Sequence, residues 1–195
     1  YSSLDKENEK IFSDSILRYK DEKRRNVFKE KRFNPLKKYL FEDSKVLDCG
    51  CGTGVFVKIL QDEGFDADGI DLSKDSIALG KKELNLETIQ TANVEELKNY
   101  NKKYDLILAT TVIEHLEYPM DFLKNINNLL NKDGVVVLEF PTADSLSFEK
   151  LNKYWKWIWT PYHLFYFTKK AMKILLNKSG YEVVEWRDIE INWYW

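Results

Sequence analysis

From about residue 46 the apolar positions follow two alternating rhythms. Nearly unbroken short runs at Val46–Cys49, Asp66–Asp71, Glu87–Thr91, Tyr104–Thr110 and Val135–Phe140 predict strands. DLIL and VVVLEF show little polar alternation, as parallel strands covered on both faces do. Between them, Gly54–Glu63 carries Val55, Ile59 and Leu60 at helical spacing. Ser73 is expected to cap a helix running to Glu83. Asp121–Asn131 carries Phe122, Leu123, Ile126, Leu129 and Leu130, with Gly134 as its stop. Thr168 caps a later helix that ends at Gly180, and Glu182–Ile189 reads as a strand. Strand-helix alternation of this kind predicts an α/β chain with an open, doubly wound sheet, mostly parallel, and helices on both faces. The last stretch is apolar, INWYW, so an edge strand is expected to be missing or incomplete.

Residues up to about Tyr39 are polar with a helical pattern, and Asn34-Pro35 reads as a helix start with Asn as cap. Arg18–Lys38 holds ten Lys/Arg against three Asp/Glu. Such a run reads first as a solvated helix face, second as an attraction for an acidic acceptor such as a phosphorylated sugar, and last as an attraction for RNA, against which the slightly negative net charge argues. Residues 154–167, YWKWIWTPYHLFYF, hold three tryptophans at alternate positions and five other aromatics. Three readings stay open: a packed excursion over the sheet, a lid on an apolar pocket, and contact with a membrane interface. One domain of four segments is expected: a helical cap over 1–40, a core over 41–142, an aromatic lid over 143–167, and a helix and strand over 168–195.

Composition narrows the class. The 195 residues are 44% hydrophobic and 32% charged, ordinary for a globular chain, and long enough for a real core. A net charge of −2 does not point to nucleic acid. No apolar run approaches the roughly 18 residues that span a bilayer, and residues 1–30 show no signal-peptide pattern. Two cysteines two positions apart, Cys49 and Cys51, make a poor disulfide framework, so a reducing, cytoplasmic setting is expected. The first residue is Tyr rather than Met, as in a chain trimmed at its start.

Candidate chemistry gathers at VLDCGCGTG, residues 46–54. Three glycines in five residues follow the first strand and lead into a helix. Glycines let backbone approach a ligand closely, and the helix N-terminus offers free N–H groups. The spacing G-x-G-x-G is not the G-x-G-x-x-G of dinucleotide binders, which argues against a nicotinamide oxidoreductase. Asp71 ends the second strand about twenty residues on, where a carboxylate can accept both hydroxyls of a ribose.

VLDCGCGTG, GIDLS, TANVEEL, YDLILATTVIEHL and LLNKDGVVVLEFPT, in that order, resemble the class I S-adenosylmethionine-dependent methyltransferases, over roughly residues 30–190. KRFNPLKKYL resembles the ubiquinone-biosynthesis-like O-methyltransferases, and HLFYFTKKAMKILLNKSGYEVVE resembles related small-molecule methyltransferases. The resemblance implies a Rossmann-like fold, S-adenosylmethionine as cofactor and S-adenosylhomocysteine as product. It implies that Asp48, Gly50 and Gly52 line the methionine part, with Cys51 between them. Asp71 would hold the ribose hydroxyls, and Leu72 would lie against the adenine. Asn93 stands where the family often has Asp facing the adenine amino group, and Val94 would offer backbone and an apolar face to the ring. Thr110 would sit near the methionine amine. Arg32 matches the arginine that in the quinone group reaches the cofactor carboxylate; taken alone it reads equally as a solvated helix charge.

Methyl transfer to a hydroxyl needs placement of the acceptor and loss of its proton. The chain has two histidines, His115 in VIEH and His163 in TPYHLFYFT, and both are candidate bases. Each also reads as a structural hydrogen bond, His115 at the start of a helix and His163 as an anchor of the lid. Some relatives bind a divalent metal through E-x-x-E-H; here Thr111 stands at the first position, so no metal is expected. The expected activity is O-methylation of a small-molecule acceptor. The alternatives are an N- or C-methyltransferase on a sugar or amine, and a non-catalytic cofactor-binding domain.

Overall fold

The structure, a computed structural model, describes residues 13–188. Strands β1 (Lys45–Cys49), β2 (Asp66–Asp71), β3 (Ile89–Thr91), β4 (Tyr104–Thr110) and β5 (Leu130–Glu139) form one sheet in the order β3-β2-β1-β4-β5. Every pairing is parallel. The order reverses around β1, which pairs β2 on one side and β4 on the other. Parallel strands bring their carboxyl ends, Cys49, Asp71, Thr110 and Glu139, to one rim, and that rim at the switch point is where such sheets hold ligands.

Alternation along the strands fills two cores. Val46, Leu106 and Leu108 face helices α2 (Val55–Asp62) and α3 (Lys74–Leu84); Leu47 and Ile107 face α4 (Pro119–Asn127) and α6 (Lys169–Lys178). Ser73 caps α3 by accepting from the Ser76 amide, and Thr168 caps α6 by accepting from the Ala171 amide, as the sequence predicts.

The N-terminal segment packs on the α2–α3 face. Residues 13–20 are helical; α1 (Glu22–Phe28), a π turn (Lys29–Phe33) and a 3-10 turn (Asn34–Tyr39) follow. Asn34 is not a cap: it is already helical at φ −55°, ψ −39°, because the π turn runs straight into it. Asp21 caps α1 instead, accepting from the Arg24 amide at 3.1 Å. Phe33 is fully buried against Phe65, and the Phe28 and Phe56 rings meet edge-on at 5.3 Å. The basic surplus is also more than a solvated face. Lys20 pairs with Glu83, Lys29 and Lys37 with Glu63, Arg32 with Glu139 and Lys38 with Glu185, so these cations fasten the segment to the core.

Two other expectations need correction. Helix α4 ends at Asn127, not Asn131, and β5 begins at Leu130; Gly134 lies inside that strand. The Tyr104 amide bonds the Leu129 carbonyl at 2.8 Å and Tyr104 pairs with Leu130, so the sheet claims backbone that a longer helix would use. Residues 181–188 form no strand. Side chains hold them: Glu185 accepts from Lys38 and from the Tyr39 hydroxyl, and Asp188 accepts from Lys169. Among the described residues β5 is therefore a free edge; INWYW and Ile189 lie outside them.

The aromatic segment is partly packed. Following α5 (Leu146–Leu151) and a short 3-10 turn, Trp155 is buried, its Nε1 donates to the Ser147 hydroxyl at 3.0 Å and its ring meets Phe148. Tyr154, Ile158, Trp159 and Tyr162 are exposed. No helix among the described residues is long and apolar enough to cross a membrane.

Candidate active site

The glycine loop is drawn onto β2. The Gly50 and Cys51 amides both donate to the Ile70 carbonyl, at 2.8 and 3.0 Å. Gly50 has φ +76°, and a side chain there would run into Val112. Gly52 has φ +55°, and a Cβ there would point into open space on the rim. That combination leaves backbone bare where a ligand can lie against it. The Gly52 amide donates to Asp71 Oδ2 and the Ser73 amide to Asp71 Oδ1, both at 2.8 Å. These bonds fix the carboxylate, and each oxygen keeps a lone pair for a ribose hydroxyl. Next to it Leu72 is 71% exposed, an apolar side chain held out at a strand end with room for a planar base. Asn93 caps the 3-10 turn Val94–Asn99 with its Oδ1 on the Glu95 amide, while its Nδ2 donates to Glu96; Val94 is buried behind it.

Electrostatics also suit a cation. Asp48 is 4% exposed, and burial, with the negative charge of Asp71 second, pushes its carboxyl up to about 7; Arg32 opposes this. A sulfonium and an amine near Asp48 and Asp71 would favour the ionised carboxylate. Burial and the same two carboxylates raise the Cys51 thiol, so it stays neutral and is no nucleophile. The residues present therefore fit S-adenosylmethionine: bare glycine backbone for the methionine, Asp71 for the ribose, and Leu72 for the adenine.

Arg32 is not a lone surface charge. Its guanidinium donates to Glu139 at 2.6 Å, across the carboxyl end of β5. Burial raises the Glu139 carboxyl and Arg32 counters that rise. Thr110 ends β4; Thr111 follows at φ +52°, unusual for a β-branched residue, with its amide bonded to the Glu139 carbonyl at 2.7 Å. These residues border a cavity of about 850 Å³ that Tyr39, Trp155 and Trp157 also line.

The two histidines come together under the aromatic segment. His115 closes a 3-10 turn after β4, and its ring lies 4.6 Å from that of His163, centroid to centroid, at 79°. His115 Nδ1 lies 2.9 Å from the Tyr162 carbonyl and His163 Nδ1 lies 2.9 Å from the Trp157 carbonyl. A carbonyl only accepts, so each Nδ1 carries the hydrogen and each Nε2 keeps its lone pair. Burial, then His115, holds His163 below the ordinary histidine value. Glu114 is 0% exposed, and burial pushes its carboxyl up to about 7. Its carbonyl accepts from the Leu164 and Phe165 amides, fastening the aromatic segment to the end of β4.

The predicted residues thus divide by place. Asp48, Gly50, Cys51, Gly52, Asp71, Leu72, Asn93 and Val94 belong to the β1–β2–β3 side of the rim; Arg32 and Thr110 border the cavity at β4–β5; His115 and His163 meet where the aromatic segment joins the end of β4. Sequence reasoning missed Glu139; Glu114 entered it only through the E-x-x-E-H comparison, and its burial was not foreseen. A charge closing the apolar run VVVLEF, and another inside VIEH, were the available signals.

The profile of a family described as a methyltransferase domain matches residues 20–186. The ubiquinone biosynthesis O-methyltransferase of Rickettsia typhi is 32% identical over 99 residues, 48% of this chain and 39% of that protein. The tRNA U34 carboxymethyltransferase of Campylobacter fetus is 33% identical over 115 residues, 55% of this chain and 40% of that protein. The solved structure of PKMT2 from Rickettsia typhi in complex with AdoHcy is 28% identical with a TM-score of 0.50, covering 58% of this chain and 24% of that one. The chain spans about half or less of the length of these relatives. With the profile covering most of the sequence and the glycine loop, Asp71 and Leu72 set around one rim, the chain belongs to the class I S-adenosylmethionine-dependent methyltransferases.

Proposed function

We propose that this chain transfers the methyl group of S-adenosylmethionine to an oxygen of a small-molecule acceptor, in the cytoplasm. The observation that carries the choice of oxygen is the His115 ring. Its Nδ1 is tied to the Tyr162 carbonyl, which leaves Nε2 free to take the proton of a hydroxyl. The acceptor would enter by the cavity bordered by Arg32, Thr110, Thr111, Glu139 and Trp157; His115 does not line it but follows Thr111 by four positions, and the methyl would move in line from sulfur to oxygen. His163, 3% exposed and tied to the Trp157 carbonyl, holds the lid in place rather than meeting the acceptor. The ubiquinone O-methyltransferase relative supports an oxygen acceptor. The tRNA-modifying relative suggests RNA instead, but five of the ten cations of the basic segment, Lys20, Lys29, Arg32, Lys37 and Lys38, are engaged with Glu63, Glu83, Glu139 and Glu185. The test is turnover of a panel of phenols, sugars and amines by wild type and His115→Gln. Phenol or sugar methylation that falls at least about a hundredfold in the variant, with S-adenosylhomocysteine affinity unchanged, is expected. Methylation of amines alone, unaffected by the substitution, refutes the oxygen acceptor.

A further inference from the structure

Residues 145–181 hold seven lysines and one acidic residue, Glu149. Seven minus one leaves six surplus positive charges, in a chain whose net charge is −2. Exposed apolar side chains gather in the same stretch. Of fourteen large apolar residues that stand well exposed among the described residues, eight lie between 146 and 165. Tyr154, 76% exposed, is the most open of these, and Ile158, Trp159, Tyr162, Leu164 and Phe165 follow it. The backbone beneath them is fastened. Trp155, His163 and Phe167 are buried, and the Glu114 carbonyl accepts from the Leu164 and Phe165 amides. Scattered exposed apolar residues are ordinary, but a cluster of them marks a surface that something covers. The lysines are open as well. Among the described residues Lys150, Lys153, Lys170, Lys173 and Lys178 form no ion pair, whereas five cations of the N-terminal segment are paired with glutamates. Lys153 Nζ lies 5.1 Å from the centre of the Tyr154 ring, so charge and ring share one place.

We propose that this aromatic and basic face docks on the surface of a lipid bilayer that carries anionic headgroups. The Trp and Tyr rings and the aliphatic ends of Ile158 and Leu164 settle at the boundary between headgroups and acyl chains, and the lysines lie among the phosphates. Composition chooses this occupant over others. A protein partner fits poorly, because lysine is depleted in protein–protein interfaces. Single-stranded RNA takes aromatic rings and cations, but gains little from exposed Leu151, Ile158 and Leu164. An anionic bilayer takes rings, aliphatic groups and cations together. No helix among the described residues is long and apolar enough to cross a bilayer, so these residues lie on it. Leu146, Leu151, Lys156 and Trp157 also border the cavity at β4–β5, so a docked bilayer lies against that side of the cavity. Docking does not depend on the methyl transfer proposed above.

The test is sedimentation of the full chain with vesicles at physiological ionic strength. One set is phosphatidylcholine alone; the other is equal parts phosphatidylcholine and phosphatidylglycerol. Binding to the mixed vesicles that weakens as salt is raised is expected. Each lysine at a charged surface is worth about fivefold in binding, so Lys150→Gln/Lys153→Gln should lose about 25-fold. Tyr154→Ser/Ile158→Ser removes two exposed apolar side chains and should lose at least about tenfold. All four positions are exposed, so both variants should melt as the wild type does. A wild-type chain that stays in solution beside the mixed vesicles overturns the proposal. Equal binding to phosphatidylcholine alone, or unchanged binding by the lysine variant, also overturns it. Tighter binding to a uridine oligonucleotide than to vesicles, lost in the same variants, overturns it in favour of RNA. A dimer in gel filtration that Tyr154→Ser/Ile158→Ser dissociates, with no vesicle binding, overturns it in favour of a second copy. Methyl transfer without vesicle binding leaves the proposed function standing. Vesicle binding by a chain that transfers no methyl group upholds the docking face and removes that function.

Discussion

Asp48→Asn should change how stability depends on pH. The folded Asp48 carboxyl sits at about 7 against an ordinary 3.8, because burial and the Asp71 charge oppose ionisation. About three pH units of displacement, at about 1.4 kcal/mol each, give roughly 4 kcal/mol at most. Its sign follows from proton counting. Between pH 4 and 7 the unfolded chain has released this proton and the folded chain still holds it, so stability falls as pH rises. The contribution is complete below about pH 4 and lost above about pH 7. The variant carries an amide of the same shape and lacks this titration. Urea unfolding of the ligand-free protein at pH 4, 6 and 8 should show the variant gaining on wild type by a few kcal/mol across that range. S-adenosylmethionine reverses the preference, since its sulfonium favours ionised Asp48. Wild-type affinity should therefore rise toward pH 8, more steeply than for neutral S-adenosylhomocysteine, and the variant's should stay flatter. Parallel stability curves for the two proteins would refute the assignment of a buried, protonated Asp48.

Two further outcomes test the framework around the rim. Phe33→Ala removes a fully buried ring between the N-terminal segment and the core and should cost about 3–5 kcal/mol in chemical denaturation; a loss under about 1 kcal/mol would mean that the segment is not docked. Arg32→Met leaves the half-buried Glu139 carboxylate without its partner and should cost roughly 1–2 kcal/mol, with most of that recovered in Arg32→Met/Glu139→Gln; additive losses would show that the pair is not coupled.

The cofactor half of the site was legible in the sequence because its parts are local. Gly50, Gly52 and Asp71 lie at the ends of adjacent strands, and the strand pattern alone sets them side by side. The acceptor half was not legible, because long-range meetings build it. Nothing in VIEH shows that His163 reaches His115, and nothing in KRFNP shows that Arg32 reaches Glu139. The missed boundaries share a physical cause. Leu129 and Leu130 fit a helical stripe, but β4 takes their backbone; Asn34 has the chemistry of a cap, but the π turn before it makes it helical already. The predicted strand after Gly180 has the right residues, yet Lys38, Tyr39 and Lys169 hold that segment by its side chains.

The Arg32–Glu139 contact has a consequence for the order of assembly. It closes a loop of 107 positions, and the Lys38 and Tyr39 bonds to Glu185 close loops of 147 and 146. Loops that long close slowly, because much chain entropy is lost before any contact forms. The strands β1, β2 and β4 can pair while this outer frame is still open. During synthesis the glycine loop thus exists well before the wall that faces it. Formation of the cavity at β4–β5 would mark the final step of folding, when residues near position 32 meet Glu139 and residues near 38 meet Glu185.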